Sequence, residues 1–172
     1  MILDLEGFFI QGHFHTREMG WCSVHTPHSY GSYHYAPKIA FHTLATKDKT
    51  TVHYVQRHIH GLSYYPPADQ AKSVYFLETD LQTLYNQFMT PDCPYVAYKG
   101  GTVEKTLLDK LNIPCWNLEL LGCPKFEQLT RLKTVSSCGQ HRHVFKHHCP
   151  VVETYHFVQW LRCQLSLPYD TA

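Results

Sequence analysis

Large apolar side chains are packed into the first ten residues, Met1-Ile-Leu-Asp-Leu-Glu-Gly-Phe-Phe-Ile10, broken only by Asp4, Glu6 and Gly7. The two acids lie two residues apart, and the period of two along a strand places both carboxylates on one face. The pattern predicts a buried strand carrying two carboxylates. A second extended run, His13 to Val24, follows a turn at Gln11-Gly12 and pairs back on the first. A third, Tyr30 to Tyr35, is aromatic and strand-prone.

Beyond these strands the rhythm weakens and then changes. Residues 37–67 are polar and rich in His, and read as a long excursion containing one short helix. Between Ala71 and Met89 the apolar positions Val74, Leu77, Leu81, Leu84, Tyr85 and Phe88 recur at spacings of three and four, which predicts an amphipathic helix ended by Thr90-Pro91. Tyr95–Tyr98 reads as a short strand. Thr102 caps a helix running to about Leu111, and another strand lies within Ile113–Leu120. Pro150 opens a last helix that runs to about Leu165. Strands first, then strand-helix alternation and a closing helix, predict one α/β domain over residues 1–172 with a mixed sheet.

Fifteen Lys and Arg stand against 14 Asp and Glu, so the net charge of +1 offers no bulk attraction for a polyanion. Any such partner must be recognised by a local site. The seven cysteines are odd in number and scattered, which points to reduced thiols rather than a disulfide framework. No leader-like start and no apolar run of about 20 residues is present. The chain is therefore expected to be intracellular, cytoplasmic or nuclear, with no membrane partner.

Two groups of residues suggest chemistry. Two acids on one buried strand, Asp4 and Glu6, are costly unless a cation lies beside them, although a strand face that simply reaches water also explains them. Glu104 occupies the first turn of a helix directly after a strand, where the helix dipole also favours an acid. His148 and Glu153 bracket the start of the last helix about one turn apart. Separately, Cys138-Gly-Gln-His141 followed by Cys149 offers three ligands at the spacing of a zinc-binding loop, with His143, His147 and His148 as competitors for a fourth place.

The order acid-x-acid, acid after strand-turn-helix, and His-x-x-x-x-acid resembles the DEDDh exonucleases of the RNase H-like superfamily. That resemblance implies an RNase H-like mixed sheet with helices on both faces. It further implies that Asp4, Glu6, Glu104 and Glu153 hold two magnesium or manganese ions while His148 serves as general base. The chain departs from the family pattern in having Glu104 and Glu153 where the family has Asp, and Gly100 where it has Asn. The Glu18-Met19-Gly20 context, with the Cys-x-x-His segment and a His-Cys pair before the last helix, also resembles the Maelstrom domain. This second resemblance implies a structural zinc held by Glu18, Cys138, His141 and Cys149.

Together these imply a metal-dependent nuclease acting on single-stranded nucleic acid, RNA ahead of DNA. The alternative is an inactive Maelstrom-like module that binds nucleic acid or protein in a small-RNA or transposon-related pathway. Tyr30, Tyr33, Tyr35, Tyr64 and Tyr65 are candidates to stack on bases, though sheet packing is the better account of the first three. Lys99, Lys105, Arg131, Lys133, Arg142 and Lys146 are candidates to touch phosphates.

Overall fold

A computed structural model describes residues 1–129 and 135–168. Arg131 and Lys133 lie outside the described residues. The strands β1 (Ile2–Ile10), β2 (His13–Cys22) and β3 (Tyr30–Ala36) form an antiparallel meander. Gln11 and Gly12, both at positive φ, make the tight β1–β2 turn. β4 (Ala71–Ser73) adds to β3 in parallel, while β5 (Val96–Tyr98) and β6 (Cys115–Asn117) extend the other edge parallel to β1. The result is a six-stranded mixed sheet of order β4-β3-β2-β1-β5-β6, with β1 well inside it.

Helices cover both faces. Odd-numbered β1 residues Leu3 and Leu5 pack with Leu81 and Leu84 of α2 (Leu77–Phe88) and Leu108 of α3 (Val103–Lys110). Even-numbered residues divide between two clusters on the opposite face. Ile2 joins the core under α4 (Pro150–Gln164), and Phe8 and Ile10 join Val52 of α1 (Thr46–His58). Asp4 and Glu6 fall between these two apolar cores, in the gap left between α4 and α1.

Three elements differ from the sequence expectation. The excursion before Pro67 contains a full 13-residue helix, α1, whose polar outer face hid its periodicity. Residues 71–73 form β4 rather than helix, because the Ser73 side chain accepts from the Tyr75 amide and starts a 3-10 turn before α2. The strand expected within 113–120 is confined to β6, since the Asn117 side chain accepts from the Glu119 amide at 3.0 Å and turns the chain into a 3-10 helix. Thr102 does occupy the start of α3, but its side chain makes no capping bond there. No helix among the described residues is long and apolar enough to cross a membrane.

α4 reaches the sheet at Gly20. A Cβ there would lie 2.4 Å from Pro150 Cβ and 2.8 Å from its carbonyl carbon, neither of which can swing aside. Gly20→Ala is therefore expected to push α4 off the sheet at a cost of about 1–3 kcal/mol, read as a lower melting temperature. An unchanged melt would show that α4 does not need this close approach.

Candidate metal centre and carboxylate site

Glu18 is fully buried on β2. It meets Cys138 and His141 from the segment before α4, and Cys149, the residue that precedes the first turn of α4. One ligand atom from each of these four lies within 4.8 Å of the others, so this buried Glu-Cys-His-Cys group could hold a metal ion. His141 Nε2 is 2.7 Å from Glu18 Oε1. Its Nδ1–H donates to the His60 carbonyl at 2.5 Å, which orients the ring and directs Nε2 at the centre. Cys149 Sγ lies 3.9 Å from Glu18 Oε2 and accepts from the Cys138 amide at 3.2 Å.

The four groups shift one another's protons strongly. Burial disfavours the charged His141 ring, but its hydrogen bonds to Cys149 and Glu18 outweigh it and raise its pKa to about 10. Burial likewise opposes ionisation of Glu18, yet the His141 hydrogen bond and charge hold its carboxyl below the ordinary value. The hydrogen bond between the two thiols lowers Cys149 to about 6 and raises Cys138. A divalent ion displaces such protons, since it takes thiolate, neutral imidazole and carboxylate.

The second group adjoins the first. Glu6 and Glu18 are register partners across β1 and β2, and Cys149 and Glu153 are one turn apart on α4. Thus each group takes one residue from the same strand pair and one from the same helix end. Asp4, Glu6 and Glu153 bring carboxylate oxygens within 4.8 Å of one another, half-buried between the two apolar cores. Glu104 stands beside them at the start of α3, accepting from the Leu5 amide at 3.1 Å. β5 matches β1 only at Ile2↔Ala97, so Glu104 fills the sheet edge that β5 leaves open.

Burial, and then the charges of neighbouring acids led by Glu153, push Asp4 and Glu6 well above the ordinary carboxylate range. Burial raises Glu153 to about 7. Asp4 Oδ2 is shielded from water and has no hydrogen-bond partner among the described residues. An orphaned carboxylate oxygen amid other acids fits a cation. His148 lies half-buried in the 3-10 turn before α4, its ring 6.3 Å from that of Phe145, and is not part of the carboxylate group.

Three polar residues around the metal group were not foreseen from sequence. The β1–β2 register slips between Glu6 and Gly7, leaving Arg17 as an extra residue in β2. Its guanidinium turns to the same side as Glu18, donating to Ser63 O at 2.8 Å, His34 Nδ1 at 2.8 Å and Gln140 Oε1 at 2.7 Å. His34 is the β3 partner of Glu18, with Nε2 3.4 Å from Oε2, and its desolvation lowers it to about 4. His60 donates from Nε2 to Gly7 O at 3.0 Å and accepts the Leu62 amide at Nδ1. Only the β2–β3 register, which sets His34 opposite Glu18, could have revealed His34.

Of the other candidates, Tyr35 is buried and donates to Asp80, Tyr33 packs on Trp21 under the Lys72 ammonium, and Tyr30 packs on Tyr155. Lys99 and Lys105 are paired with Glu119 and Asp109. Compared with known protein families, curated proteins and solved structures, the chain matches none.

Proposed function

We propose that this protein is a divalent-metal-dependent nuclease acting on single-stranded nucleic acid, RNA ahead of DNA, built around a separate structural zinc site. The observation that carries this reading is the convergence of Asp4, Glu6 and Glu153, with Glu104 beside them and Asp4 Oδ2 lacking a hydrogen-bond partner among the described residues, in a gap between two apolar cores. An all-oxygen set suits magnesium or manganese. Such ions, when bound, supply charge stabilisation at a phosphodiester and acidify a water. In the hydrolysis, water adds across a P–O bond to leave a phosphate monoester and a hydroxyl. The chain's part is to fix the carboxylates on rigid elements and, through His148, to offer a base for the proton of that water.

Glu18, Cys138, His141 and Cys149 mix two thiols, an imidazole and a carboxylate, the donor set of tetrahedral zinc. With four protein ligands such a site has no open position for substrate, which makes its role structural. The mixed sheet with helices on both faces and acids on an interior strand is consistent with an RNase H-like relationship.

A labelled single-stranded RNA incubated with the purified protein and magnesium or manganese tests the activity. Metal-dependent cleavage, with one tightly held zinc per chain by elemental analysis, is the expected result. The departure of the longer Glu104 and Glu153 from the exonuclease pattern favours a second reading as an inactive binding module. Tight RNA binding with no cleavage under either metal would establish that second reading instead.

A further inference from the structure

The C-terminal half of α1, residues 61–63 and Arg142 enclose a recess of about 620 Å³. α1, which walls it, packs Val52 with Phe8 and Ile10 of β1, further along the strand from Asp4 and Glu6. His60 ties it to the site twice, through Gly7 at the end of the acidic stretch of β1 and through His141 of the metal group. Its lining contains no acid. Arg57 and Arg142 are exposed, and neither joins an ion pair among the described residues. Tyr54 is 58% exposed and lies against His58 with ring centroids 4.9 Å apart.

The wall is built rather than incidental. Gly61 has φ +70°, and a Cβ there would come within 2.9 Å of the Arg142 nitrogen. The Arg142 amide donates to Gly61 O at 3.2 Å. These contacts hold the Arg142 backbone across the recess from α1.

Two unpaired guanidinium groups without a carboxylate nearby recognise a phosphate, and an exposed ring beside them offers a base a flat face. The volume suits a nucleotide-sized group. We infer that this recess seats one phosphate and its adjoining base of a single-stranded nucleic acid, with Arg57 and Arg142 on the phosphate and Tyr54 as the stacking platform. The inference rests on the nuclease reading for the strand's onward path to Asp4 and Glu6, but binding in the recess does not require cleavage.

Fluorescence anisotropy with a labelled single-stranded RNA, and a DNA of the same sequence, tests it. A Glu6→Gln chain is used so that the probe stays whole. Adding Arg57→Ala and Arg142→Ala is expected to weaken binding of at least one probe about tenfold or more, and to shrink the slope of log affinity against log salt by about 1.4, two contacts' worth. Tyr54→Ala is expected to lose about fivefold or more with the slope kept. All three side chains are exposed, so these variants should melt like their parent. Unchanged affinity and slope in the arginine variant, or no binding of either probe by the parent, overturns the inference. If the wild-type chain cleaves nothing while the arginine variant still loses binding, the recess stands and the nuclease reading falls.

Discussion

Glu6→Gln and Asp4→Asn are each expected to reduce metal-dependent cleavage by at least about 10²–10³-fold while leaving the fold intact. Both changes keep side-chain volume and remove a negative charge from a group whose oxygens crowd within 4.8 Å. Burial opposes ionisation of all three, and at Asp4 and Glu6 the charges of neighbouring acids add to it, so Asp4, Glu6 and Glu153 hold protons above the ordinary range. The same variants should therefore melt at an equal or higher temperature than wild type when no magnesium or manganese is present. Loss of activity with unchanged or increased stability marks a functional charge rather than a structural one.

The pH dependence carries the same signature. A carboxyl with a raised folded pKa binds more protons folded than unfolded, so stability falls as pH rises through the interval between the two values. For Glu153 that interval runs from its ordinary 4.5 to about 7. Thermal melts without magnesium or manganese should decline across it, less steeply in Glu6→Gln, and added manganese should restore the wild type alone. Equal cleavage by wild type and both variants would remove the carboxylates from the chemistry.

Cys149→Ser and His141→Ala should act in the opposite manner, on folding first. Either change leaves Glu18, which is fully buried, facing an incomplete ligand set. Breaking one member of a buried charged set costs about 3–5 kcal/mol, which for a chain of this size lowers the melting temperature by roughly 6–20 °C. Because metal binding to such a site is coupled to folding, prolonged chelation of the wild type should produce a similar loss. Cleavage should fall with the folded fraction, since Cys149 immediately precedes α4, which carries Glu153, and the Glu-Cys-His-Cys group fixes the start of that helix. The exposed Cys163→Ser serves as a control with an unchanged melt. Fully folded Cys149→Ser, with no zinc in the wild type, would remove the structural zinc.

The local pattern of the chain was sufficient for the β1–β2 hairpin, α3 and α4, and for the idea that Asp4 and Glu6 share a face. These depend on periods of two and 3.6, and on turn and helix-start residues, which neighbours in sequence impose. Spacing also brought Cys138, His141 and Cys149 together as a ligand set, because they are held within one short segment. α1 was legible only as a short helix somewhere in the excursion, because it buries a narrow stripe with Asp48 and Val52 its buried residues; β4 was not legible, since it depends on the edge that β3 offers.

What tertiary structure alone decided is how the two groups meet. The resemblance to known domains suggested Glu18 as a ligand, but its place depends on a pairing of β2 with β1 that slips by one residue beside it. That slip turns Arg17 inward beside Glu18, and the pairing with β3 sets His34 against them. Neither contact follows from local periodicity, since a regular strand would send Arg17 and Glu18 to opposite faces. The approach of α4 over Gly20 then places Cys149 against Glu18 and Glu153 against Asp4 and Glu6. Sequence periodicity determines which way each side chain points from its own element; only packing between elements, through a bulge and a glycine contact, determines which side chains from distant positions share one site.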